Sequence, residues 1–432
     1  MDQLPRKLGL LDATFIVIGI VIGSGIFLLP NVIARNLSSG PVIIAVWIVS
    51  GILSFFGALA YAELGAMMPA TGGQYVYLRE AFGPACAFVC GWVFVLAVTA
   101  GGIAFLAVGF SIYLDHFIPL TATQRSVASV SVVAVLTAIN YLGVREAAWV
   151  QRIFTAAKIG GLVLVIAAAF LAPHESREPA TATAFSYGGI GFAMTACLMA
   201  YNGWSFVSFV AGEVTQPERN LPRALVLGMT LVMVLYIGAN LAYMNVMTVP
   251  QIAAAERVGD AVAQRTMGSA GASVLSAIVL LSIIGALNGN ILTAPRIPFA
   301  QARDGLFFRR FGDIHPRFKT PSFAILVQGV WTSVLILTGS YETLFSYALL
   351  SAWLFYTLGV VAVWVLRRSR PDIPRPYKMW GYPVTLWLFV IVSVWFMLDA
   401  LVNQPKTSCI ALAIAAAGIP FYYLWRKGSP SN

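Results

Sequence analysis

Runs of about twenty apolar residues, separated by short polar stretches, recur from residue 12 to residue 426 of this 432-residue chain. A helix needs roughly 20 apolar residues to cross the hydrocarbon core of a bilayer. The pattern predicts twelve such helices, over 12–35, 41–66, 84–113, 126–142, 149–171, 189–212, 223–249, 271–303, 321–338, 341–367, 381–402 and 406–426. Almost no chain remains for a domain outside the membrane, so 1–432 reads as one all-α integral membrane domain. The stretch TGGQYVYLREAFGP (71–84) predicts an amphipathic helix lying on the membrane surface, with Gly72 and Gly73 turning the chain into it. The opening MDQLPRKLGLLDA has no small-residue cleavage site, so the first apolar run is expected to be retained.

Two spans carry polar or flexible residues where an apolar helix should be strongest. In the first, Val21-Ile22-Gly23-Ser24-Gly25-Ile26-Phe27 places two glycines around a serine, with Pro30 following. Each glycine costs a helix interior about 1 kcal/mol relative to alanine. Two readings stay open: a small-residue packing face, as Gly19 and Gly23 one turn apart would give, and local unwinding. In the sixth, Met199-Ala200-Tyr201-Asn202-Gly203-Trp204-Ser205 sets an amide and a glycine mid-run. Interruptions that open each half of a membrane chain point to a carrier with inverted repeats. An unwound turn bares N–H groups at one half-helix start and C=O groups at the other half-helix end, an arrangement complementary to a zwitterion. On that reading 12–171 and 189–367 are two five-helix repeats, and 381–426 holds two peripheral helices.

Composition agrees and adds orientation. Apolar residues make up 59% of the chain and charged ones 10%, and the mean hydropathy is +0.82, far from a soluble domain with roughly a quarter charged. The net charge of +10 is no nucleic-acid signature, because the 27 Lys and Arg gather in alternate loops. Twenty fall on the side of the termini and six on the other (Arg35, Arg125, Arg177, Arg257, Arg265, Lys406), with Lys158 inside a span. The positive-inside rule then puts both termini in the cytoplasm. The most basic loops, 304–320 and 368–380, would fix orientation against anionic membrane lipids. Cys86, Cys90, Cys197 and Cys409 all lie in apolar runs, which suits packing better than disulfides or a metal site.

Lys158, about ten residues into the fifth span, is the one ionisable side chain placed well inside the membrane. Such a charge costs roughly 2.5–3.5 kcal/mol on insertion scales and usually has a partner or a task, unless it snorkels to the surface. His116, His174 and His315 all fall in loops and no carboxylate pair faces a common site. An intramembrane enzyme would need a nucleophile and base or metal ligands at depth, so neither enzyme chemistry nor a cofactor is expected. A channel would line a pore with a polar stripe, whereas the polar residues here cluster at two breaks. A receptor-like sensor would need an output domain.

The segments IGSGIF (22–27), PATGGQYVYLREAFG (69–83), AYNGWSFVSFVAGEVTQPERNLPRAL (200–225) and LNGNILTAPRIPFAQARDG (287–305) resemble, in order and spacing, the amino acid, polyamine and organocation transporter superfamily, and within it the L-type amino acid transporter family, in its bacterial-type form. The resemblance spans nearly the whole chain. It implies a LeuT-type fold with a 5+5 inverted repeat and transport of L-amino acids across the plasma membrane by alternating access, often as sodium-independent exchange. By position it implies carboxylate contacts at Ser24, Gly25 and Ile26, and ammonium contacts at the carbonyls of Val21, Met199 and Asn202, beside Gly203. Met199 stands where some relatives place an aromatic gate. Trp204 would support the pocket wall or face lipid, and Asn290 would reach the substrate side chain or bond a neighbouring helix. The resemblance also implies that Lys158 replaces sodium, tying the fifth span to the first near Gly23 and to the eighth. Proton coupling through the same lysine, as in a symporter, is the alternative. Relatives that accept dibasic amino acids can carry aspartate at the position of Asn202, so its amide implies neutral substrates. The loop 114–125 lacks the cysteine that links animal relatives to a glycoprotein subunit, so no disulfide-linked partner is expected.

Overall fold

The computed structural model describes residues 4–172, 187–339, 341–403 and 405–428; the predicted loop residues His174 and Arg177 lie outside them. In lipid every backbone polar group must find its partner within the protein, which leaves helices as the simplest solution. The chain takes it throughout. In order the helices are α1 (Leu10–Val21), α2 (Gly25–Asn36), α3 (Gly40–Met67), α4 (Gln74–Phe82), α5 (Pro84–Val93), α6 (Thr99–Leu114), α7 (Ala122–Leu142), α8 (Val144–Leu171), α9 (Tyr187–Ala200), α10 (Pro217–Val246), α11 (Val249–Ala254), α12 (Val258–Thr293), α13 (Arg296–Arg303), α14 (Ser322–Thr338), α15 (Tyr341–Ser369), α16 (Val384–Asn403) and α17 (Pro405–Gly428). A π-helical turn, Phe94–Val98, joins α5 to α6, and a 3-10 helix, Trp204–Glu213, follows α9. Among the described residues the sole β feature is one parallel bridge between Leu8 and Val214.

Ten of these stretches are long and apolar enough to cross a membrane, and the bent pair α1 and α2 makes an eleventh span. The predicted ninth span, α14, is apolar but has 17 residues, whereas the ten have 20 or more. Burial sorts the spans. In the stretch through α9 and its 3-10 continuation 67% of the apolar window is buried, whereas α7, α8 and α17 bury 28% and α16 22%, so these four turn broad faces toward lipid. Leu337, Val402 and Leu424 are among the exposed apolar side chains that meet it.

The segment after the second span departs from expectation. The predicted helix forms as α4, but Gln74, Tyr75, Val76, Tyr77 and Leu78 are all buried, so it is tucked into the bundle and does not float on the surface. Its N-terminal turn explains why. Gly73 has φ +42°, and a Cβ there would stand 2.4 Å from the Ser208 carbonyl carbon and oxygen, so the chain can enter at that angle only as glycine. The Tyr75 hydroxyl then donates to Asp304 at 2.8 Å, and Arg79 pairs with the same carboxylate.

The same end of the bundle is laced by polar contacts. The N–H groups of Lys7 and Leu8 both donate to the Glu213 carbonyl at 2.9 Å, and the Thr215 N–H donates to the Leu8 carbonyl at 2.8 Å. Glu63, 1% exposed, accepts from Arg367 at 2.8 and 2.7 Å and from the Met379 N–H at 2.7 Å. Arg152 pairs with Asp12 at the start of α1.

Candidate substrate site

The first span does unwind. α1 stops at Val21, Ile22 is extended (φ −76°, ψ 91°), and α2 begins at Gly25, bent 40° from α1. The last carbonyls of a helix have no acceptor role inside it, and here they are answered by side chains from elsewhere. Lys158 on α8 is fully buried and its Nζ donates to the carbonyls of Gly19 (2.8 Å), Ile22 (2.7 Å) and Ser282 (2.8 Å). An ammonium has three protons, and all three are used. The Ser282 hydroxyl donates a further bond to the Ile22 carbonyl at 3.1 Å. Lys158 therefore joins the break to α12, with its charge at the negative end of α1, and it does not snorkel.

At the other side of the break the N–H groups of Phe27 and Leu28 go to the Ser24 carbonyl. Those of Gly25 and Ile26 stand at a helix start, where no preceding turn supplies an acceptor. A Cβ built on Gly23 would meet nothing within 4 Å, so the broken turn borders open space. Ser24 and Leu28 line a cavity of about 140 Å³ that runs past Gly109 to Tyr113 and Arg257, where the guanidinium lies 5.0 Å from the Tyr113 ring centroid.

The sixth span breaks beside it. α9 ends at Ala200, Gly203 is left-handed (φ +113°), and the chain continues as ten residues of 3-10 helix, a length rarely sustained without a local constraint. A Cβ on Gly25 would lie 3.6 Å from the Ala200 Cα, and one on Gly203 would lie 2.6 Å from Ile20 Cγ2, so the two breaks touch. Tyr236 on α10 clamps them: its hydroxyl lies 2.9 Å from the Val21 carbonyl and 3.2 Å from the Ala200 carbonyl, sharing one proton. Gly203→Ala is expected to lower transport more than tenfold, because the positive φ and the Ile20 contact both oppose a Cβ, a strain of about 1–3 kcal/mol. Counterflow in liposomes, beside a thermal melt of the purified variant, checks it.

The structure thus brings Val21, Gly23, Ser24, Gly25, Ile26, Met199, Asn202 and Gly203 to one crossing, with Lys158 beneath it. The Val21 carbonyl also accepts from the Gly23 N–H, so together with Tyr236 it has two donors; the Met199 carbonyl accepts from the Asn202 N–H and keeps a second lone pair. The Met199 side chain is 38% exposed. Trp204 is 1% exposed, edge-on to Tyr61 at 5.0 Å and 5.7 Å from Tyr356, so it is packed among aromatic rings and does not face lipid. The Asn290 Nδ2 donates to the Ala286 carbonyl of its own helix at 2.8 Å, not to a neighbouring helix. The interhelical amide is its neighbour Asn288, which accepts from Asn140 at 3.0 Å and donates to Gln151 at 2.8 Å and to the Ala147 carbonyl at 2.9 Å.

Sequence reasoning missed Tyr236 and this amide network. One signal was present: Gln151, Thr155 and Lys158 fall at i, i+4 and i+7, one face of a helix. All three point at the carbonyls of α1, the first two at Phe15 (3.3 Å each). Among the described residues no group of His, Cys, Asp and Glu is arranged to hold a metal.

A profile of the amino acid permease family matches residues 8–419. The chain is 33% identical to the mouse b(0,+)-type amino acid transporter 1 over 98% of its own length and 88% of that protein. It is 34% identical to the mouse large neutral amino acids transporter small subunit 2 over 98% and 81%. With the serine/threonine exchanger SteT of Bacillus subtilis it shares 30% identity over 100% of this chain and 99% of the relative. A family match over nearly the whole chain, on a bundle whose polar chemistry converges on two touching helix breaks, identifies a multi-pass membrane transport protein and not an enzyme: the chain belongs to the amino acid permease family, with the L-type amino acid transporters of the amino acid, polyamine and organocation superfamily.

Proposed function

We propose that this chain exchanges small neutral L-amino acids across the plasma membrane by alternating access, without sodium and without a disulfide-linked partner, with both termini in the cytoplasm. In this reading α14 completes twelve spans, 12–171 and 189–367 form the two inverted repeats of a LeuT-type fold, and 381–426 is peripheral. The substrate zwitterion bridges the breaks. Its carboxylate takes the N–H groups of Gly25 and Ile26 with the Ser24 hydroxyl, at the positive end of α2. Its ammonium takes the Met199 and Asn202 carbonyls, and the Val21 carbonyl in place of the proton that Tyr236 shares with Ala200. An amide at Asn202 supplies no counter-charge for a cationic side chain, which favours neutral substrates. The serine/threonine exchanger of Bacillus subtilis, similar end to end, supports exchange as the mode.

The observation that carries the sodium-independent reading is the triple bond set of Lys158 to Gly19, Ile22 and Ser282. Converging backbone carbonyls are the ligands a hard cation takes. Here a tethered ammonium occupies them, and its three protons match three acceptors. Proton-coupled symport would use the same lysine as proton carrier.

The purified chain alone, reconstituted in liposomes with choline in place of sodium, is expected to take up radiolabelled L-serine or L-alanine against an internal amino acid. The methyl ester and the N-acetyl derivative, each lacking one zwitterion charge, should fail to compete. Strict dependence on sodium, or equal competition by the blocked analogues, would refute the proposal.

A further inference from the structure

Away from the two breaks, three spans diverge on the outside of the bundle and leave a groove of about 520 Å³ between α5, α15 and α17. Ala85, Ala415 and Ala416 are too small to fill it, and Leu354, Phe355 and Ile419 give it apolar walls. On α17 the exposed residues Ala416, Ile419 and Tyr423 fall at i, i+3 and i+7, one face of the helix, so the groove opens outward to the bilayer. From Ala415 to Tyr423 it follows α17 for about 12 Å at 1.5 Å per residue. That is close to the roughly 15 Å of hydrocarbon in one leaflet.

Aromatic rings crowd the end of the groove nearest the C-terminus of α17. Tyr422 packs on Phe88 at 5.7 Å and Trp425 on the same ring at 6.1 Å. From the loop after α13, Phe307 stacks on Trp425 at 5.6 Å and Phe308 meets it edge-on at 5.0 Å. Arg309 and Arg310 follow Phe308 directly in a 3-10 turn. Both are exposed, and neither forms an ion pair among the described residues.

We infer that this groove is a binding site for one phospholipid with an anionic headgroup, its acyl chain lying between α5, α15 and α17 and its phosphate against Arg309 and Arg310. The two ends of the groove decide the occupant. Its walls offer no charge to a polar ligand, and a flexible acyl chain suits an irregular apolar gap that faces lipid. Its ring-lined end has the aromatic character that the membrane–water interface selects, and two uncompensated guanidinium groups beside it match phosphate oxygens. An anionic headgroup gains the full attraction of both, whereas a zwitterionic one carries its own cation and gains less.

Native mass spectrometry of the detergent-purified full chain, titrated with phosphatidylglycerol or with phosphatidylcholine of the same acyl chains, tests this. The wild type is expected to hold one phosphatidylglycerol about tenfold more tightly than phosphatidylcholine. Arg309→Gln combined with Arg310→Gln should bring that ratio close to one. Ala416→Trp, which fills the groove from an exposed position, should weaken retention of both lipids severalfold. Equal retention of the two lipids by the wild type, a ratio that the arginine substitutions leave unmoved, or unaltered retention in Ala416→Trp overturns the inference. So does a dimer that Ala416→Trp dissociates, since a second copy of the chain then fills the groove.

Discussion

Lys158→Ala is expected to reduce amino acid flux at least 100-fold. The side chain joins the unwound end of the first span to α12 alongside the Ser282 hydroxyl, and its loss takes a charged donor from three buried carbonyls, those of Gly19, Ile22 and Ser282. A hydrogen bond to a charged group contributes about 1.5–3 kcal/mol, and a buried acceptor left alone costs a similar amount. The break would then lose the geometry that presents its N–H and C=O groups to a ligand. Lys158→Met separates charge from packing, because it keeps most of the stem and removes the protons. Lys158→Arg should fare little better: three carbonyls enclose the Nζ at 2.7–2.8 Å, and a planar guanidinium cannot aim three donors at them from one atom. Initial counterflow rates per reconstituted protein, with thermal midpoints taken in parallel, decide the matter. Near wild-type flux in the methionine variant would show that the positive charge is dispensable.

The second large effect falls on the other end of the broken sixth span. Arg296 and Glu213 are both fully buried and joined by two bonds, 2.8 Å to Oε1 and 3.0 Å to Oε2. Glu213 also holds the segment before α1 through its carbonyl, which accepts from Lys7 and Leu8. Removing one partner leaves the other charge buried and uncompensated, a loss of about 3–5 kcal/mol, whereas an apolar pair of similar volume is often tolerated. Glu213→Ala should therefore lower the thermal midpoint sharply and cut the yield of monodisperse protein. The double substitution Glu213→Met with Arg296→Met should recover most of that loss. Melting followed by size-exclusion chromatography reads both, and a double variant as unstable as the single would mean that the pair contributes more than charge compensation.

The spans and the two breaks were legible because lipid enforces them. Nothing but a continuous apolar run crosses the bilayer as helix, and Gly23-Ser24-Gly25 and Asn202-Gly203 are what such a run excludes unless the backbone must be freed. The depth of Lys158 was legible for the same reason. What stayed hidden depends on which way a side chain turns. Asn288 and Asn290 lie two residues apart, and only the helix phase decides that the first bridges helices while the second bonds its own. Tyr236 looks like any aromatic residue in an apolar span until α10 packs against both breaks. The burial of α4 was masked by its own composition, since Gln74, Arg79 and Glu80 suggest a wet surface. The bundle supplies partners for Tyr75 and Arg79 through Asp304. The ten residues of 3-10 helix after Gly203 have no sequence mark at all.

The central claim is that a tethered cation at the first break replaces a diffusible one, so that the site turns over only when loaded. Efflux of preloaded radiolabelled L-alanine from proteoliposomes tests it most directly, in sodium-free buffer at equal pH on both sides, with and without unlabelled neutral amino acid outside. Efflux that requires the external amino acid is the predicted result; efflux at the same rate without it would contradict the account.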